Sequence, residues 1–228
     1  ASGGAPLAVK TIKEFKHYYG LTIADIWGLT EGVSQVTTQL SDGSGRLGSV
    51  GRALPGWEVR IVDESGQSQP VNQAGEVVIR GPMIKGYYNN PQATAETIRN
   101  GWLHTGDVAV MDEDGFITIQ DRIKDMIISG GENVYPAEVE NAVMSHPGVK
   151  ECAVIGMPSA RWGEAPLVVA VRADESVDEA SVLRHCDGKL ARYKQPTGAV
   201  FVDAIPRNPS GKALKFALRQ QFPGPARE

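Results

Sequence analysis

The spacing of apolar residues changes character near residue 121, and that change limits what the chain can fold into. Before it, short alternating or β-branched runs are separated by polar, Gly-containing connections. Trp57 to Asp63 and Glu76 to Arg80 read as antiparallel strands, and Val108 to Met111 with Phe116 to Gln120 flank Asp112-Glu113-Asp114-Gly115 as a hairpin. After it, helical spacing alternates with strands. Pro136 opens a helix through Val139, Ala142 and Val143 that stops before Pro147-Gly148, and Cys152 to Gly156 and Leu167 to Val171 read as buried strands. Ser176 with Glu179 has capping-box spacing ahead of Val182, Leu183, Cys186 and Leu190; Ala199 to Val202 reads as a last strand and Ala213 to Gln220 as a last helix. At the other end, Pro6 is placed like a first helical residue, Ala8, Ile12, Phe15 and Tyr19 recur at helical spacing, and Gly20 stops the run. Leu21 to Trp27 then reads as a short strand entering a loop at Gly28. Mixed strands and helices bury their apolar faces against one another, so the pattern predicts an α+β fold: a β-rich first part and a second α+β domain of about 105 residues.

Composition narrows the function classes. Against 27 acidic side chains stand 23 basic ones, for a formal net charge of −4 with no Lys/Arg block, which argues against nucleic acid and against a polybasic membrane surface. No run approaches the ~18 apolar residues of a membrane helix, and no signal peptide is visible, so the expected location is cytoplasmic. Cys152 and Cys186 have neither disulfide-framework nor zinc-ligand spacing and read as buried thiols. Gly (26) and Pro (14) are abundant yet below low-complexity levels of roughly 25–30%, which indicates many tight turns. The chain starts at Ala1 and enters a helical pattern within a few residues, as a cut chain would.

Four polar-plus-glycine clusters are read as loops between apolar runs, where functional groups tend to be displayed. They are Trp27-Gly28-Leu29-Thr30-Glu31-Gly32; Gly101-Trp102-Leu103-His104-Thr105-Gly106-Asp107; Asp121-Arg122-Ile123-Lys124-Asp125 running on to Ser129-Gly130-Gly131-Glu132-Asn133; and Pro206-Arg207-Asn208-Pro209-Ser210-Gly211-Lys212. Singly, each has a bland reading: a helix cap, a turn, a β-turn, a solvated lysine. Their order is what discriminates. With Ser2-Gly3-Gly4-Ala5-Pro6, Gly48-Ser49-Val50-Gly51-Arg52, Gly75-Glu76 and Gly81 through Gly86-Tyr87-Tyr88-Asn89-Asn90-Pro91, the set resembles the adenylate-forming superfamily of AMP-dependent acyl-CoA synthetases, from Ser2 to Lys212.

The resemblance implies two half-reactions in one site: a carboxylate attacks the α-phosphate of ATP to give acyl-AMP and pyrophosphate, and a thiol, usually of coenzyme A, then displaces AMP. It implies that Gly4 and Ala5 line the adenine and acyl pocket, that Trp27 beside Gly28 stacks on adenine where the family more usually has Tyr, and that Thr30 bonds the α-phosphate. Glu31 would hold Mg²⁺, Asp107 would accept from both ribose hydroxyls, and Arg122 would add a donor beside them. Lys212 would be the adenylation lysine and Lys124 the hinge, within residues 121–124, between the C-terminal part of a large AMP-binding domain (1–120) and a small mobile domain (125–228). That domain would alternately deliver Lys212 and the Ser129-Gly130-Gly131 loop, whose glycines admit the pantetheine chain of coenzyme A.

One family element is missing from the sequence, a Ser/Thr/Gly-rich phosphate loop ending in Gly-Xaa-Pro-Lys; Ser41 to Gly51 is Gly/Ser-rich but lacks the lysine. The expectation is therefore the C-terminal portion of an acyl-CoA ligase for a fatty or related acid, using ATP, Mg²⁺ and coenzyme A, inactive alone and partnered with the rest of its own enzyme. Two alternatives stay open: a non-catalytic AMP- or partner-binding module, and an adenylation domain that loads a carrier-protein pantetheine.

Overall fold

The computed structural model describes residues 1–4, 7–39, 45–209 and 211–224. The chain divides into two compact units, Ala1–Ile123 and Lys124–Glu228. No helix among the described residues is long and apolar enough to cross a membrane.

The first unit opens with α1 (Val9–Tyr19), ended by Gly20, whose N–H donates to the Lys16 carbonyl. Ile12 is its buried residue, Ala8 and Phe15 on the same expected apolar face are half-buried, and Tyr19 at its end is exposed. The short strand expected over Leu21 to Trp27 narrows to β1 (Ile26–Trp27), which pairs with β2 (Thr37–Thr38); β2 in turn pairs with β3 (Arg52–Ala53). Both expected antiparallel strands are present as β4 (Glu58–Val62) and β5 (Gly75–Arg80). Asn90 caps α2 (Pro91–Thr97), accepting from the Ala93 N–H, a short helix the apolar spacing does not announce. It leads into β6 (Ile98–Arg99), β7 (Trp102–Met111) and β8 (Ile117–Arg122).

All pairings in the β4-β5-β7-β6 sheet, with β8 also on β7, are antiparallel. The core beneath them is Val36, Ile61, Val77, Ile79, Leu103, Ala109 and Ile117. Here the loop reading of Gly101 to Asp107 is corrected: Trp102 to Asp107 lie within β7, because alternate residues such as the fully buried Leu103 dock on the core.

In the second unit β9 (Ile127–Ser129) and β10 (Glu132–Val134) form a tight hairpin, followed by α3 (Pro136–Met144). β11 (Val149–Ser159) and β12 (Gly163–Arg172) make a long antiparallel ribbon; α4 (Glu179–Cys186), β13 (Gly198–Phe201), parallel to β12, and α5 (Lys215–Gln221) follow. The capping box at Ser176 is corrected as well. Asp178 caps α4, its Oδ1 accepting from the Ser181 N–H, while the Glu179 carboxylate accepts from Ala199 N–H on β13.

The sheet is buried on both faces. Val154, Val168 and Ala170 pack with Val139, Val143, Val182 and Cys186 from α3 and α4, and Ala153, Ile155, Leu167 and Val169 pack with Leu218 of α5. Two covered faces explain why β11 and β12 read as near-continuous apolar runs. Burial raises the thiol of Cys152 well above its usual range and that of Cys186 less so, in keeping with inert core cysteines.

Candidate functional site

In the first unit three of the expected residues are joined by hydrogen bonds. Asp107 on β7 is 7% exposed, and its Oδ2 accepts from the Trp27 indole N–H at 2.8 Å. Its Oδ1 accepts from Arg122 Nε at 3.2 Å, the two residues facing each other across the β7–β8 ladder. A buried carboxylate needs such partners to stay charged, and each charge-assisted bond contributes about 1.5–3 kcal/mol. An ionised carboxylate has about four acceptor positions, so roughly two remain after Trp27 and Arg122, enough for two vicinal hydroxyls. The Trp27 N–H thus ties the indole ring to the Asp107 carboxylate.

Trp27 leads into a compact loop closed by Ser34 N–H on the Leu29 carbonyl and Val36 N–H on the Trp27 carbonyl. Gly28 is required for that closure, since a Cβ there would lie 1.6 Å from the Ser34 carbonyl oxygen. Thr30 and Glu31 follow on a short 3₁₀ turn (Thr30–Gly32), with Thr30 exposed at its start. Glu31 Oε1 accepts from the Tyr87 hydroxyl at 2.9 Å. Burial, and after it the bond to Glu31, raises the Tyr87 hydroxyl above its ordinary value, so it remains a donor. The sequence marks Tyr87 only as part of a motif; this bond gives it a task, orienting Glu31.

No group of three or more His, Cys, Asp or Glu able to hold a metal occurs among the described residues. A lone Glu31, with acceptor positions beyond the one Tyr87 uses, fits a Mg²⁺ whose other ligands are phosphate oxygens and water. Gly4 is exposed, and Ala5 lies outside the described residues.

The second unit carries the other expected groups. Lys124 is exposed on a 3₁₀ turn (Ile123–Asp125), next to the buried Asp125, which accepts from Arg219 at 2.9 Å. Ser129, Gly130 and Gly131 end β9 and form the two-residue turn to β10. Both glycines have positive φ, +61° and +85°, as a type I′ turn requires. The turn is pinned by Gly130 N–H donating to the Trp162 carbonyl at 2.8 Å, while a Cβ on Gly131 would meet nothing within 4 Å. Asn208 holds the backbone of Lys212 from both sides: its Oδ1 accepts from Lys212 N–H at 2.8 Å, and its N–H donates to the Lys212 carbonyl at 2.9 Å. Arg207 adds a bond to the Gly211 carbonyl at 2.8 Å, so the loop before α5 presents Lys212 from a fixed frame.

Residues 1–88 match the family described as AMP-binding enzyme, and residues 138–212 match the AMP-binding enzyme C-terminal domain. The chain is 43% identical over 220 residues to a 2-succinylbenzoate–CoA ligase of Bacillus cereus, covering 96% of this chain and 45% of that protein. It is 42% identical over 223 residues to the long-chain-fatty-acid–CoA ligase FadD13 of Mycobacterium tuberculosis, covering 97% and 44%. Among solved structures, ATP-bound MatB from Rhodopseudomonas palustris superposes with a TM-score of 0.92 at 40% identity, covering 97% of this chain and 44% of that one. The chain thus spans less than half the length of the curated relatives it matches. With the ordered motifs, the two matched domains and the shared fold, the chain belongs to the family of AMP-binding enzymes.

Proposed function

We propose that this chain is the part of an ATP-dependent acyl-CoA ligase that carries the small C-terminal domain and the adjoining end of the AMP-binding domain. The observation that supports the reading best is the Trp27–Asp107–Arg122 constellation: an aromatic face, a buried carboxylate with acceptor positions to spare, and a guanidinium. Adenine stacks on Trp27, and the ribose hydroxyls donate to Asp107. The Thr30 hydroxyl donates to an α-phosphate oxygen, and Glu31, oriented by Tyr87, is the protein ligand for Mg²⁺, which when bound neutralises phosphate charge. Lys212 places its ammonium between the substrate carboxylate and the α-phosphate, where charge accumulates as the acyl-oxygen–phosphorus bond forms and pyrophosphate leaves. A preorganised cation there contributes roughly 10²–10³ in rate.

In the second half-reaction a thiol attacks the acyl-AMP carbonyl and AMP departs. Gly130 and Gly131 give the pantetheine arm passage along a turn without side chains. Lys124 marks the hinge about which Lys212 and this turn exchange places. The relatives include a fatty-acid ligase and a succinylbenzoate ligase at nearly equal identity, so a fatty acid is one candidate acid and the residues of this chain do not choose among them. A cytoplasmic location fits small-molecule substrates of this kind.

The test is made on the full-length protein with a panel of carboxylic acids: pyrophosphate release, then thioester formation with coenzyme A and, separately, with a carrier-protein pantetheine. Acid-dependent release followed by CoA thioester supports the reading. Release with carrier loading alone favours a carrier-loading adenylation domain, and nucleotide binding without release a non-catalytic module. The 228-residue chain by itself is expected to bind AMP and not to turn over ATP, since its sequence shows no phosphate loop.

A further inference from the structure

We infer that Glu76, a residue with no role in the chemistry above, is a positioning residue for Asp107, acting through a bulge in β7. The inference rests on the reading of Asp107 as the ribose acceptor. Along the β5–β7 ladder Glu76 pairs with Val108 and Val78 with His104. One residue of β5, Val77, therefore stands opposite three of β7: Thr105, Gly106 and Asp107. Bulges of this sort leave backbone groups without ladder partners and re-aim the side chains they carry.

Side chains take up those groups. Gly106 N–H donates to Glu76 Oε1 at 3.0 Å, and His104 Nδ1 lies 2.7 Å from Glu76 Oε2, so one carboxylate grips the strand both just before the bulge and inside it. Thr105 Oγ1 donates to the Val77 carbonyl at 2.8 Å and accepts from Asp107 N–H at 3.1 Å. Gly106 has a φ of +70°, which its lack of a side chain makes accessible. The side chains of Glu76 and His104 are 19% and 14% exposed, so water replaces these bonds poorly. Asp107 is the last residue of the bulge, and it is there that its carboxylate meets Trp27 and Arg122.

A carboxylate suits the task because it can accept at both oxygens; glutamine keeps one acceptor and alanine none. Loss of Glu76 frees the bulge and lets Asp107 drift from the place where two hydroxyls can reach it. Such a loss weakens recognition of the ribose while leaving adenine stacking and phosphate contacts in place.

The experiment is isothermal calorimetry on the purified 228-residue chain with AMP and with 2′,3′-dideoxy-AMP, comparing the wild type, Glu76→Ala and Glu76→Gln, with Asp107→Ala as reference. The wild type is expected to prefer AMP by at least about tenfold, since each hydroxyl bonds a charged acceptor. Glu76→Ala is expected to reduce that preference to about twofold with dideoxy-AMP affinity unchanged, and Glu76→Gln to fall between. No preference in the wild type would overturn the Asp107 reading and the inference with it. A normal preference in the wild type that persists in both Glu76 variants would overturn the role of Glu76 alone. Should Glu76→Ala lose dideoxy-AMP binding too, showing a folding defect, Glu76→Gln decides: a reduced preference supports the inference, an unchanged one overturns it.

Discussion

The two units bury different things. Among the described residues, Ala1–Ile123 encloses Asp25, Thr37, Gln39, Ser49 and Asp107, whereas in Lys124–Glu228 the buried polar side chains are Asp125 and Ser129, beside a core of Val, Ile, Leu and Ala on both sheet faces. A polar interior costs stability unless each group finds partners; in the first unit Asp107 finds Trp27 and Arg122, and Thr37 and Ser49 find the Val50 and Ile117 carbonyls. A dry sheet is a stiff carrier, and the second unit displays its candidate groups on turns at its margins, Gly130-Gly131 and the loop before α5. On the proposed function, the first unit would hold the nucleotide and the second would deliver Lys212 and the glycine turn.

The largest effect that could break this division is Lys212→Ala in the full-length protein. Adenylation is expected to fall about 10²–10³-fold, while thioester formation from preformed acyl-AMP changes only a few-fold. Single-turnover assays of each half-reaction decide it, and equal losses would mean that the units do not divide the chemistry. Gly28→Ala tests the other side. With its new Cβ driven onto the Ser34 carbonyl, it should cost the first unit about 3 kcal/mol, seen in calorimetry as a lowered transition for that unit beside an unmoved one for the second.

Asp25 sharpens the contrast through pH. Burial lifts its carboxyl to about 6 from an unfolded value near 3.8. The folded state thus holds the proton more tightly, and ionisation costs stability as pH rises through that window; the cost is absent below it and complete above it. Asp25→Asn is expected to stabilise the chain by roughly 2–3 kcal/mol at pH 8 and by little at pH 4. Urea unfolding at the two pH values measures it, and an equal gain at both would count against a buried charge. The smallest effect belongs to Tyr87→Phe, which removes one bond to Glu31 and should slow adenylation about five- to tenfold at limiting Mg²⁺ and less at saturation. A loss independent of Mg²⁺ would separate Tyr87 from the metal ligand.

Much of this was legible in the sequence because it is local. Val139, Val143, Val182 and Cys186 announce their helices by spacing, and β4, β5, β11 and β12 by alternation or continuous burial. Ordered motifs pointed to Trp27, Asp107 and Arg122. What stayed hidden depends on contacts between distant residues. That Trp27 donates to Asp107 spans 80 positions and that Tyr87 reaches Glu31 spans 56; neither leaves a periodic trace. The loop reading of Gly101 to Asp107 went wrong because glycine and threonine in a bulge look like a turn in one dimension, and Ser176 was favoured over Asp178 because capping-box spacing can occur by chance two residues early.

The central claim is that nucleotide recognition resides in Ala1–Ile123. An AMP titration of the isotopically labelled 228-residue chain, followed by two-dimensional NMR, tests it most directly. The account predicts saturable shifts of the Trp27 indole N–H and of the Gly106 amide, with the valine methyls of β11 and β12 unmoved, and loss of those shifts in Asp107→Ala. Shifts confined to Lys124–Glu228, or none at millimolar AMP, would contradict it.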